Sequence, residues 1–164
     1  MLTKKFFPLI LIMIIVITVA ATISHVADSD VPYPENFRKW THIKTGYVGK
    51  ENPNFNINGG FHHIYGNEKA MQGYLSGNFP EGSIIAFDVI EGLVQVSSNI
   101  KEGNRRHVDV MVKDSTKYNA TGGWGYEEFN GDSKTQKNTT PVIQTQCFNC
   151  HASQKDYVFS ELRN

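Results

Sequence analysis

Two cysteines and a histidine stand together near the C-terminus, as Cys147-Phe148-Asn149-Cys150-His151, and no other short stretch of the chain carries chemistry as specific. The pattern is C-x-x-C-H, the attachment signature of a covalent haem c. Two thiols about one helical turn apart can each add to a porphyrin vinyl group, and the adjacent imidazole then reaches the iron as its proximal axial ligand. Three other chemistries use similar residues. A zinc site needs about four ligands, and with only two cysteines in the chain it would have to recruit distant histidines. A thioredoxin-like redox pair opens a helix after a strand, and nothing before Cys147 reads as such a unit. A structural disulfide suits an exported protein but leaves His151 without a role.

The N-terminus reads as an export signal. Lys4 and Lys5 precede an uncharged run from Phe6 to Ile23, and Val19-Ala20-Ala21 offers small residues for cleavage. About 18 residues exceed a usual signal core and just reach a membrane span. Residues 1–27 are therefore expected to be a signal peptide or an N-terminal membrane anchor, with the remainder outside the cytoplasm. Haem c is characteristically attached there, so the motif implies the same periplasmic or extracytoplasmic placement.

Residues 28–164 suffice for one domain with its own core. Without Lys4 and Lys5 the basic count drops from 16 to 14 against 16 acidic residues, so this part is nearly neutral. Such a balance offers no patch for nucleic acid and no acidic tail for a polycation. No internal repeat is present.

The elements that must position the motif follow in order. Residues 27–34 are polar and contain Pro32 and Pro34, which predicts a linker. A short helix after Pro34 would align Phe37, Trp40 and Ile43. The asparagine- and glycine-rich stretch 46–60 reads as a loop. Gly60 to Tyr65 predicts a strand in which His62 and His63 face opposite ways and cannot share one metal. A helix over 67–75 begins at a capping Asn67 and ends at Gly77. Strands are predicted over 83–91 and 105–113, the second alternating Val108, Val110 and Val112 against His107, Asp109, Met111 and Lys113. A hairpin arm is expected at 93–96 and a turn at 101–104. Gly123 to Phe129 reads as a further arm whose glycines would admit another group close to the backbone. After a polar loop, 131–141, the motif is expected to open a final helix over about 151–162. Strands joined by short turns predict an α+β fold: a mainly antiparallel sheet with packed helices and a C-terminal haem-attachment helix.

Read together, Tyr33-Pro34-Glu35-Asn36-Phe37-Arg38-Lys39-Trp40-Thr41-His42, Phe61-His62-His63-Ile64-Tyr65, Phe79-Pro80-Glu81-Gly82-Ser83, Met111-Val112-Lys113-Asp114, the arm at 122–129 and the C-x-x-C-H motif resemble the cytochrome P-460 family in its own order. The resemblance implies one covalent haem c held by Cys147 and Cys150, with iron ligated by His151, on a β domain that is usually a homodimer. It implies two chemistries: oxidation of hydroxylamine, where a lysine is also cross-linked to the macrocycle, and binding of nitric oxide, where that link is missing and aromatics cover the distal face. Between Phe79 and Ile100 there is no lysine, which leaves Lys69 and Lys113 as candidates for the link.

Phe61 and Phe87 are candidate aromatics of the haem pocket, and Glu102, Arg105, Arg106 and His107 candidate polar groups able to move protons. His42, His62, His63, His107, Met71 and Met111 are chemically able to serve as a sixth ligand. An open sixth position implies chemistry on a small nitrogen species, nitric oxide or hydroxylamine. A methionine or histidine there implies an electron carrier with a redox partner protein.

Overall fold

The computed structural model describes residues 30–163. The expected signal or anchor, residues 1–27, lies outside them. Among the described residues no helix is long and apolar enough to cross a membrane.

Five strands form one antiparallel sheet in sequence order: β1 (Thr41–Val48), β2 (Gly60–Gly66), β3 (Ile84–Val94), β4 (Ile100–Lys113) and β5 (Trp124–Asn130). Among the described residues three α-helices accompany it: α1 (Phe55–Asn58), α2 (Glu68–Ser76) and α3 (Pro141–His151). This is the α+β architecture that the alternation of apolar and polar residues predicts. Both faces of the sheet are covered, so neighbouring residues along β4 enter different cores.

The first core holds Val31, Phe37, Ala86, Val108, Val110 and Phe129, with Tyr33, Trp40 and Tyr65 packed against it. The second holds Ala70, Ile85, Met111, Trp124 and Tyr126, with Cys147, Phe148, Tyr157 and Val158 against it. Val108 and Val110 thus face away from Asp109 and Met111, as the period of two requires.

α2 follows its predicted bounds closely because its ends are chemically marked. Asn67 Oδ1 accepts from Ala70 N at 2.8 Å, and Gly77 closes the helix at φ 78°. Gly125 also matches its expectation, since a side chain there would collide with the Tyr118 ring.

Several expectations are corrected. Residues 30–34 are no linker: Val31 is fully buried, and Asp30 accepts from Tyr118 Oη at 2.9 Å. The helix expected after Pro34 is a single 3-10 turn, Phe37–Lys39, and Ile43 lies in β1, where pairing with β2 outcompetes a helical propensity spread over few residues. That strand runs into the supposed loop 46–60, which also contains α1. Residues 93–94 continue β3 and residues 101–104 belong to β4. The hairpin instead turns at 95–99, where Gln95 N donates to Asn99 O at 2.8 Å. Register shifts on either side of Ile90 keep the two strands paired through Gly92.

The last correction concerns the motif. No helix runs over 151–162; α3 precedes and includes the motif, which closes it. Thr140 caps α3, accepting from Ile143 N at 3.4 Å, and Pro141 occupies its first turn. Beyond His151 the chain enters a turn with Asp156 at φ 45° and Tyr157 at φ 63°, and no helix continues through two left-handed residues.

Candidate haem site

A cleft of about 530 Å³ separates the second face of the sheet from α3 and the segment that follows it. The size falls within the range of small-molecule and cofactor pockets. Its floor is two rows across the sheet. Ile64, Phe87, Asp109 and Glu128 are consecutive register partners on β2 to β5, and Ile85, Met111 and Tyr126 form the row beside them. Its roof is Ile143, Cys147, Cys150 and His151 on α3, continued by Val158 and Phe159. α1 closes one end with Ile57 and Asn58.

Cys147 and Cys150 are free thiols, Cys147 half-buried and Cys150 exposed. A spacing of three places them on one side of α3, facing the cleft. Burial, reinforced by the carboxylates of Asp109 and Glu128, pushes the Cys147 thiol up to about 11. That is the reverse of the depressed value of a redox-active pair, and the pair closes a helix rather than opening one.

The His151 ring is fixed from three directions. Its Nδ1 donates to Tyr157 O at 2.7 Å, Phe159 meets it edge-on with ring centroids 4.9 Å apart, and Tyr126 lies 5.2 Å away. Burial holds its pKa below the ordinary imidazole value. With Nδ1 committed to a carbonyl, Nε2 keeps its lone pair, which is how second-shell partners orient metal-binding histidines.

Asp156 holds that carbonyl in place. Its Oδ1 accepts from Lys113 Nζ at 2.9 Å and from Trp124 Nε1 at 3.4 Å, and its Oδ2 from Phe79 N at 2.8 Å. The Tyr157 ring lies against Gly122, at φ +66°, where any side chain would collide with it.

The second row contains a buried phenol, Tyr126, whose Oη has no hydrogen-bond partner, and whose pKa burial pushes up. Asp109 faces the cleft and is partly exposed to it. Burial and the neighbouring Glu128 carboxylate raise its pKa well above the ordinary value. Burial lowers His107 and His62. His62 lines the cleft with its Nε2 against Asn58 O, tying β2 to α1.

The candidate distal residues divide sharply. Phe87 lines the cleft, whereas Phe61 stacks on His63 on the opposite face. Arg105 reaches Asp88 at 2.6 Å, and Glu102 reaches His63 at 2.7 Å, both on that opposite face. Arg106 is spent on α1, donating to the carbonyls of Phe55, Asn56 and Gly59. His107 lies beside Asp109, with 3.6 Å between Nε2 and Oδ2. Of the candidate sixth ligands, Met111 and His62 line the cleft; His42 and His63 meet at Thr45 on the far side. Met71 on α2 and the two candidate lysines lie outside the lining. Lys69 Nζ donates to Glu81 O at 2.8 Å, and Lys113 Nζ belongs to Asp156. The sequence pattern marks neither Tyr126, Asp109 nor Glu128 as a site residue. Only the register that places 109 opposite 128 reveals them.

An apolar cleft between a sheet and a helix that closes with two thiols and a neutral, oriented imidazole defines a small haem-binding cytochrome of β architecture. Comparison with family models bears this out: the model for Cytochrome P460 matches residues 34–160, and the chain belongs to that family. No curated protein matches the chain.

Proposed function

We propose that this cytochrome carries one haem c, covalently held by Cys147 and Cys150 with His151 as proximal ligand, and binds small nitrogen species at the opposite side of the iron. The observation that carries the reading is the His151 Nδ1 hydrogen bond to Tyr157 O, which fixes the ring and directs Nε2 towards the cleft. The cleft's volume, its largely apolar lining and the Tyr126 hydroxyl without a hydrogen bond fit a large, mostly apolar cofactor with polar edges. When bound, the haem supplies an iron that takes small ligands and changes oxidation state by one electron.

The protein's own groups do the rest. Phe87 and Ile64 keep water from the floor, and Asp109 and Glu128 place acidic oxygens where a small polar ligand would lie. Among the described residues no lysine lines the cleft, which favours binding of nitric oxide over the lysine-linked oxidation of hydroxylamine. An extracytoplasmic location follows from the N-terminal segment, and electrons would come from a redox partner protein.

Spectra of the matured protein, ferric and reduced, with and without nitric oxide, test this. A five-coordinate high-spin spectrum that shifts with nitric oxide supports it; a strongly red-shifted ferrous Soret band indicates a lysine link and refutes it. A second reading rests on Met111, whose thioether lines the cleft. As a sixth ligand it would make the protein an electron carrier, with a sharp low-spin spectrum indifferent to nitric oxide.

A further inference from the structure

Two carboxylates on the floor of the cleft and a buried imidazole beside them come together without being among the groups that would hold the haem. Asp109 and Glu128 are direct register partners on β4 and β5, and His107 precedes Asp109 by two residues on the same face. One donor atom from each of the three lies within 4.8 Å of the other two. His107 is only 8% exposed, its Nε2 is buried, and no hydrogen bond satisfies it. A buried imidazole nitrogen without a partner is a costly feature that folded proteins seldom keep.

Two adjacent carboxylates beside it call for a cation. The side chains to hand do not supply one, since Arg106 is committed to three carbonyls of α1 and, among the described residues, no lysine or arginine lines the cleft.

We propose that His107, Asp109 and Glu128 form a second metal site, separate from the haem, that takes one divalent first-row transition-metal ion. A single imidazole nitrogen with two carboxylate oxygens suits Zn²⁺, Mn²⁺ or Fe²⁺. The imidazole disfavours Mg²⁺ and Ca²⁺, and the lack of a thiolate in the set disfavours Cu(I). Ligand bonds of about 2.0–2.2 Å put donor atoms about 3–3.5 Å apart. The 3.6 Å between His107 Nε2 and Asp109 Oδ2 is already close to that. The Glu128 carboxylate, within 4.8 Å of both, completes the set.

The supporting shell is present as well. Asn138 Nδ2 donates to Glu128 Oε1 at 2.7 Å, which orients the carboxylate and leaves its second oxygen for the ion. Three protein ligands leave coordination positions facing the cleft, the arrangement of metal sites that accept water or a small ligand.

The test uses the matured, haem-loaded protein after chelator treatment. Zn²⁺ is titrated by calorimetry, and Mn²⁺ by loss of the free-ion signal in electron paramagnetic resonance, with bound metal counted against haem iron by elemental analysis. The proposal expects one added ion per chain, with affinity at least tenfold weaker in His107→Gln and in Glu128→Gln. Glu102→Gln, which removes a carboxylate on the opposite face, is expected to leave affinity unchanged. Absence of stoichiometric binding, or binding that survives Glu128→Gln, overturns it. If the buried His107→Gln variant does not fold, Glu128→Gln decides alone. Haem content is measured on the same samples, so loss of the haem assignment and loss of the metal site are read separately.

Discussion

The two faces of the sheet are built from the same strands and yet serve opposite ends. On the first face, Val31, Val108 and Phe129 are wholly buried, and two buried carboxylates are met by cations: Asp88 by Arg38 at 2.7 Å and Arg105 at 2.6 Å, and Glu127 by Lys137 at 3.5 Å. On the second, Phe87, Asp109 and Glu128 front an open cleft, and His107 Nε2 and Tyr126 Oη are buried without hydrogen bonds. The difference lies in what covers each face. The segment 30–40 lies flat on the first, while α3 stands off the second because its residues 147, 150 and 151 face inward across a gap. A face that fronts a cleft and leaves a buried imidazole nitrogen and a buried phenol without hydrogen bonds is reserving room for something that is not protein.

The largest effect should come from removing the roof's chemistry. Cys147→Ala with Cys150→Ala is expected to abolish covalent haem, seen as loss of haem staining on a denaturing gel, while circular dichroism still reports the sheet. Covalent haem in that variant would break the assignment of the second face.

Next in size is a matched pair across the sheet. Phe129→Ala should cost about 3–5 kcal/mol by urea unfolding, as for a fully buried aromatic. Phe87→Ala, bordering the cleft, should cost about 1–2 kcal/mol, since less area leaves water there. Equal losses would mean that the faces do not differ as described.

Asp88→Asn is expected to cost about 2 kcal/mol through its charged hydrogen bonds to Arg38 and Arg105, which keep part of their solvation. No change would show that the segment 30–40 is held by apolar contact alone.

The smallest effect is confined to alkaline pH. Burial pushes Tyr74, which bonds Ser160 Oγ at 2.6 Å, up to about 12 from an ordinary value of 10. The folded state keeps this proton longer than the unfolded one, so the contribution is complete below pH 10 and is lost as pH rises towards 12. Tyr74→Phe should flatten that part of the stability curve, and an identical slope in both proteins would remove Tyr74 as its cause.

Much of the framework was legible in the chain. Alternation located β2, the greater part of β3 and β4, and β5, because a strand with one or two buried faces must repeat every two residues. Local end signals located α2. The weaker readings were those in which a long-range partner outweighs local preference. Val31 lies in a polar, proline-bearing stretch and is buried by Phe129 and its neighbours, which are distant in sequence. Thr140-Pro141 does mark the start of α3, but a polar loop masked that signal.

The haem motif, the near-neutral charge and the alternating strands are properties of nearest neighbours along the chain, and the sequence alone determined them. Which face of β4 became a core and which became a site was decided only in three dimensions. Asp109 meets Glu128, and His151 meets the Tyr157 carbonyl, through register and through a left-handed turn at 156–157. Neither depends on residue type alone: strand register follows from the sum of cross-strand contacts, and a backbone carbonyl carries no side-chain signature to read.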